Sequence, residues 1–236
     1  MTTINVNTIA PAGSTLTVGD SGDTIVVPEI KVNTVKDAGG NTLWVSNGSG
    51  TLSSVSGFGG ALNLLSTQTA SGSASISFTS GIDSTYKEYV FKFININPSV
   101  DEARFTVNFS SDGGSNYNMV KTTTYFQAYH RETGADGTLA YSAVNDLAES
   151  ADAQRLSGTV GSDADQNLVG ELHIFNPAST TYVKNFYVKT NHVEAADYTM
   201  NIFVAGYVNS TSAVNAIQYA TSTGNFDGKI KMYGVS

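Results

Sequence analysis

The chain has 236 residues, of which 40% are hydrophobic and 14% charged, with no cysteine and one tryptophan. Twelve basic against twenty acidic side chains give a net charge of −8, the wrong sign for a protein whose affinity comes from neutralising phosphates, so nucleic acid is not an expected partner. Zero cysteine excludes a disulfide framework, a thiolate metal site and a cysteine nucleophile. Thr, Ser and Asn fill nearly a third of the chain and argue against an all-helical fold.

Residues 1–10, Met-Thr-Thr-Ile-Asn-Val-Asn-Thr-Ile-Ala, have neither a basic start nor an apolar run of the length of a signal peptide or membrane span. A soluble product of cytoplasmic synthesis is expected, without membrane insertion and able to reach the outside by release or lysis. The first sixty residues repeat themselves. Thr15-Leu-Thr-Val-Gly-Asp-Ser-Gly-Asp-Thr-Ile25 matches Thr42-Leu-Trp-Val-Ser-Asn-Gly-Ser-Gly-Thr-Leu52, and Asn7-Thr-Ile9 precedes the first as Asn33-Thr-Val35 precedes the second. Ile4/Val6, Leu16/Val18, Ile30/Val32 and Leu43/Val45 alternate with polar residues between Gly-rich turns, the pattern of short strands in β-hairpins. Such thin apolar rows have no second layer of their own. They predict either a stalk covered by sister chains, as in a homotrimer, or an arm packed on the remainder of the same chain.

A Gly-rich stretch places the boundary near residue 60, giving an attachment or stalk segment at 1–60 and a second domain at 61–236. In the second domain, strands are expected over 75–79, 88–95, 103–110, 117–129, 156–160, 167–175, 182–190, 198–208, 214–220 and 229–234. Several show the two-residue period, as in Tyr89/Phe91/Phe93, Phe105/Val107/Phe109 and Met200/Ile202/Val204. Gly113-Gly114 reads as a hairpin turn that pairs the strands on either side of it. Residues 143–155 break the rhythm and read as a short helix or an exposed loop. The fold class is all-β: a β-hairpin repeat stalk followed by an antiparallel β-sandwich of jelly-roll-like type.

Chemistry is sparse. Gly19-Asp-Ser-Gly22 matches the surroundings of a chymotrypsin-like nucleophile, yet no histidine precedes it and the second repeat copy lacks it, so it reads as a turn. His130, His173 and His192 have no metal-motif spacing, and Asp163-Ala-Asp-Gln-Asn167 lacks the Gly and Glu that complete a calcium loop. No acid pair is singled out for glycoside hydrolysis. No catalytic residue, metal or cofactor is therefore expected. The candidate binding residues are Tyr117, Tyr125, Tyr129, His130 and Arg131, with Phe126 among them. Rings with polar edges stack on sugar C–H faces while neighbouring amides hold hydroxyls; the alternative is that these rings fill the core or a subunit interface.

Two stretches carry a resemblance: the repeat Ser14-Thr-Leu-Thr-Val-Gly-Asp-Ser-Gly-Asp-Thr-Ile-Val-Val27, and the block running from Ser71-Gly-Ser-Ala-Ser-Ile-Ser-Phe-Thr79 through Ser110-Ser-Asp-Gly-Gly-Ser-Asn-Tyr117 to Gly224-Asn-Phe-Asp-Gly-Lys-Ile-Lys-Met-Tyr-Gly234. Together they resemble virion structural and fibre-like proteins of tailed bacteriophages, particularly those of marine bacteria. The resemblance implies a homotrimeric appendage on a virion, a tail or head fibre bound to tail, portal or capsid proteins; residues 1–60 are then expected to dock on the particle and residues 61–236 to face outward and attach to host-surface glycan. A capsid decoration or cement protein and a polysaccharide depolymerase are the alternatives.

Overall fold

The computed structural model describes residues 34–36, 38–46, 52–55, 61–134 and 136–236. The first repeat copy, with its turn at residues 19–22, lies outside the described residues. The chain divides into two units, Met1–Phe58 and Gly59–Ser236. In the first, β1 (Thr34–Lys36), β2 (Thr42–Ser46) and β3 (Leu52–Val55) form an antiparallel sheet in the order β1-β2-β3. The second repeat copy supplies β2, and Val35, Trp44 and Val55 stand in register across the three strands.

The second unit contains β4 (Leu62–Ser73), β5 (Ser75–Phe78), β6 (Glu88–Pro98), β7 (Phe105–Ser110), β8 (Lys121–Arg131) and β9 (Gly137–Tyr141). It continues with β10 (Gln154–Arg155), β11 (Leu168–Phe175), β12 (Lys184–Glu194), β13 (Tyr198–Val208), β14 (Ala216–Thr221) and β15 (Phe226–Val235). The described residues are all-β and contain no helix; of residues 143–155, expected as a helix or loop, 143–153 run irregularly and Gln154–Arg155 form β10. Eight strands form one sheet in the order β4-β15-β6-β11-β12-β13-β8-β9, and four form another in the order β10-β7-β14-β5.

The pairing is nested. β4 pairs β15, β5 pairs β14, β6 pairs β11 and β7 pairs β10, all antiparallel, with successive pairs placed in alternate sheets. Two hairpins interrupt this scheme, β8–β9 and β12–β13, and both join the larger sheet beyond β11.

Alternation explains why the sheets meet. On β6 the side chains of Phe91 and Phe93 are buried whereas Lys92 and Ile94 are half-exposed, and on β7 Phe105, Val107 and Phe109 are fully buried. Rings from opposite sheets then touch: Phe78 against Phe91 at 5.2 Å, Phe93 against Phe105 and Tyr219 at 5.2 Å each, and Phe109 against Phe186 at 5.1 Å. Each such buried side chain stabilises by about 1.5–3 kcal/mol relative to exposure. A bulge keeps this phase intact past Asn95, which adopts φ 51° so that Ile96 returns to the core. On the facing strand Gly228, at φ 133°, approaches so closely that a Cβ would lie 2.7 Å from the Asn95 carbonyl oxygen.

The Gly113-Gly114 segment differs from expectation. Both glycines have positive φ, but the strands they join do not pair: β7 lies in the four-stranded sheet and β8 in the eight-stranded one. The turn is a crossing between sheets. Asp112 organises it by accepting from Ser110 Oγ at 2.6 Å, Asn116 N at 2.9 Å and Asn116 Nδ2 at 2.7 Å, and these bonds hold its carboxyl down to about 2.

Candidate functional site

Adjacent residues on a strand point to opposite faces, and this divides the five predicted binding residues. Tyr125 is fully buried; its phenol is pushed well up by desolvation, so it belongs to the core and not to a binding surface. Tyr117 sits half-buried in the β7–β8 crossing, its hydroxyl packed where a Gly114 side chain would otherwise be: a Cβ there would lie 2.6 Å from that oxygen. His130 is exposed on the outer face of the eight-stranded sheet. Tyr129 and Arg131 share the inner face at the end of β8 and are the two that the structure brings together.

Their neighbours come from the β12–β13 hairpin. Met200 lies opposite Tyr129 and Tyr198 opposite Arg131, while Glu194 faces Tyr198 across the hairpin turn. Tyr129, Glu194, Tyr198 and Met200 line a depression of about 190 Å³. The Arg131 guanidinium carbon lies 4.5 Å from the Tyr198 ring centroid, and its Nη2 donates to the Tyr198 hydroxyl, which raises the pKa of Arg131 further. Asp136 adds an ion pair at 3.6 Å, and the Tyr129 ring meets Tyr198 edge-on at 5.4 Å. Glu194 is anchored at both oxygens, accepting from Thr159 Oγ1 at 2.6 Å and Ala196 N at 3.0 Å.

Side chains locked in this way lose little freedom when a ligand arrives, which favours binding. The site offers an aromatic wall, a fixed carboxylate that accepts hydroxyl hydrogens, and a guanidinium at the rim. Behind it, His192 is buried with neither ring nitrogen hydrogen-bonded, and burial pushes its pKa down to about 4. Gly158 fits over this floor, since a Cβ would meet Met200 Sδ at 3.1 Å and His192 Nε2 at 3.3 Å.

Sequence reasoning did not find Tyr198 or Glu194. They stand at the two ends of a hairpin turn, Glu194 paired with Tyr198, but joining them to Arg131 requires the register of a third strand distant in sequence. The remaining histidine, His173, lies on the outer face, 2.6 Å from Glu88 and 3.5 Å from Glu171, stacked on Tyr187 at 4.5 Å. Among the described residues no three His, Cys, Asp or Glu side chains gather as a metal site. No family model matches the sequence, and no curated protein or solved structure matches it either.

Proposed function

We propose that the chain is a bacteriophage virion protein forming a homotrimeric fibre on the tail or head, with residues 1–60 docked on the particle and residues 61–236 facing outward to hold host-surface glycan. The observation that carries the attachment role is the depression beside Arg131: two tyrosine rings, an anchored carboxylate and a guanidinium on a domain with its own closed core. Sugar C–H faces stack on Tyr129 and Tyr198, and hydroxyls donate to Glu194 or accept from Arg131. One shallow site binds weakly, and three copies on a fibre convert that into firm attachment through avidity.

The nested pairing supports the finer jelly-roll reading. Counting the eight strands of the nest as first to eighth, one sheet runs first-eighth-third-sixth and the other second-seventh-fourth-fifth, the order of two Greek keys rolled together. The trimer rests on the repeat of residues 1–60, whose apolar rows need covering. Binding without turnover fits a depression lined by a single carboxylate already engaged at both oxygens, where glycoside hydrolysis needs two across the scissile bond.

The test uses the full chain on an array of bacterial-surface glycans, with Tyr198→Ala beside it and sedimentation on both. Expected are trimers in both samples and loss of at least about tenfold in apparent affinity for the variant. Equal binding by the variant, or none by the parent chain, overturns the site; a monomer at micromolar concentration overturns the fibre.

A further inference from the structure

The outer face of the eight-stranded sheet carries a second feature, which shares only Tyr129 with the lining of the Tyr198 depression. Three depressions join there into one trough across seven neighbouring strands. The first, about 400 Å³, contains Lys229 and Thr69 and ends at Ile94; the second, about 320 Å³, begins at Ile94 and contains Lys92, Lys189 and Asn191. The third, about 280 Å³, shares Asn191 and Asn201 with the second and ends at His130. Six inter-strand steps of ~4.8 Å give a length of about 29 Å.

The charges along it do not balance within the protein. Lys92 and Lys231 stand directly opposite each other on β6 and β15, an arrangement that destabilises a sheet. Among the described residues, Lys92 has Glu171 at 3.6 Å, while Lys189, Lys229 and Lys231 have no ion-pair partner. The other acid in the trough, Asp227, accepts from the Gly72 backbone N–H at 2.6 Å. In a chain of net charge −8, lysines that outnumber the acids beside them, with Glu171 opposite both Lys92 and Lys189 but paired with Lys92, mark complementarity to an external anion.

We infer that this trough binds an extended anionic polysaccharide, its carboxylates or sulfates on Lys92, Lys189 and Lys229, with Lys231 beside Lys92 at the margin, and its hydroxyls along the Thr and Asn side chains between them. A nucleic-acid strand fits less well. Its bases need free ring faces, whereas Tyr187 is already stacked between His173 at 4.5 Å and Phe203 at 6.3 Å. The inference rests on the glycan-attachment reading and deepens it by naming a charge class and a second surface, and it fails or stands on lysines that lie outside the Tyr198 depression.

The experiment titrates the full chain with four probes of equal length: an oligo-uronate hexamer, a sulfated hexamer, a neutral glucan hexamer and a single-stranded DNA. It is repeated with Lys189→Gln/Lys229→Gln and with Tyr198→Ala. Expected is binding of one or both anionic sugars that falls at least about tenfold in the double lysine variant and weakens with salt, is unchanged by Tyr198→Ala, and exceeds that of the neutral hexamer. Either anionic hexamer binding alone identifies the anion as carboxylate or sulfate. Equal binding of the neutral hexamer, preference for DNA, no binding of either anionic sugar, or indifference to the lysine changes at unaltered thermal unfolding overturns the inference. Loss through Tyr198→Ala alone supports the depression and overturns the trough.

Discussion

The two halves of the larger sheet bury different chemistry. Where β4, β15, β6 and β11 face the smaller sheet, the interior is built from rings: Phe91, Phe93, Phe105, Phe226 and Tyr219, all within 5.2–5.8 Å of a neighbour, with Phe105 and Tyr219 stacked at 12°. Where β12, β13 and β8 extend the sheet, the interior also takes in Lys121, Thr123, Gln154, Thr190 and His192. Some of these are well partnered. Thr123 donates to Gln154 Oε1 at 2.6 Å, Thr190 donates to the Leu156 carbonyl at 2.6 Å, and Lys121 donates to Asn108 Oδ1 at 2.7 Å. His192 is not. The ring-packed half gains from area removed from water, and the polar half holds a particular covering segment, residues 142–160, by directional bonds whose loss is costly. The candidate depression opens at the end of that polar half.

The largest expected effect lies in the ring-packed half. Phe105→Ala removes a fully buried ring in contact with three others and is expected to cost about 3–5 kcal/mol in urea unfolding, against about 1–2 kcal/mol for the volume-conserving Thr190→Val opposite Leu156. Equal costs would erase the distinction between the halves.

A smaller effect isolates His192. The unfolded chain takes up its proton near pH 6.5 and the folded chain only near 4, so stability falls as pH drops through that window, by up to about 3 kcal/mol from this group. His192→Leu is expected to remove that slope between pH 6.5 and 4, and parallel pH curves for the two proteins would place the acid sensitivity elsewhere.

The smallest concerns Lys121, whose pKa burial lowers to about 8. The unfolded chain keeps this proton up to about pH 10.5, so the group makes stability rise between pH 8 and 10.5, burial outweighing the nearby Asp152 charge that favours the proton. Lys121→Met is expected to flatten that rise in unfolding measured across the same range.

The strands that sequence reasoning located are those that bury one face. β13 coincides with the expected 198–208, and β6 and β15 contain the expected runs within longer strands. Of the three strands it missed in the second unit, β4 and β9 are the edges of the larger sheet, and the two-residue β10 is an edge of the smaller one. β9 buries none of its residues, and β4 buries only Ala70 among a run of Ser, Thr and Gln, so neither carries a periodic signal. Tyr125 was misread for a related reason. The inward row of β8 begins with Lys121 and Thr123 while Phe126 points outward, so hydrophobicity runs against the true phase of that strand. Of the candidate site, Tyr129 and Arg131 were legible as a local cluster. Tyr198 and Glu194 were not, because only strand register brings them there.

β15 is the last strand in chain order, yet it lies inside its sheet, hydrogen-bonded to β4 on one side and β6 on the other. Until β15 has been synthesised, β4 therefore has no strand neighbour and β6 lacks one of its two. The sheet can close only once β15 has been made, so its folding has high contact order, and a chain stopped short of Phe226 leaves β4 unpaired and one edge of β6 open to aggregation.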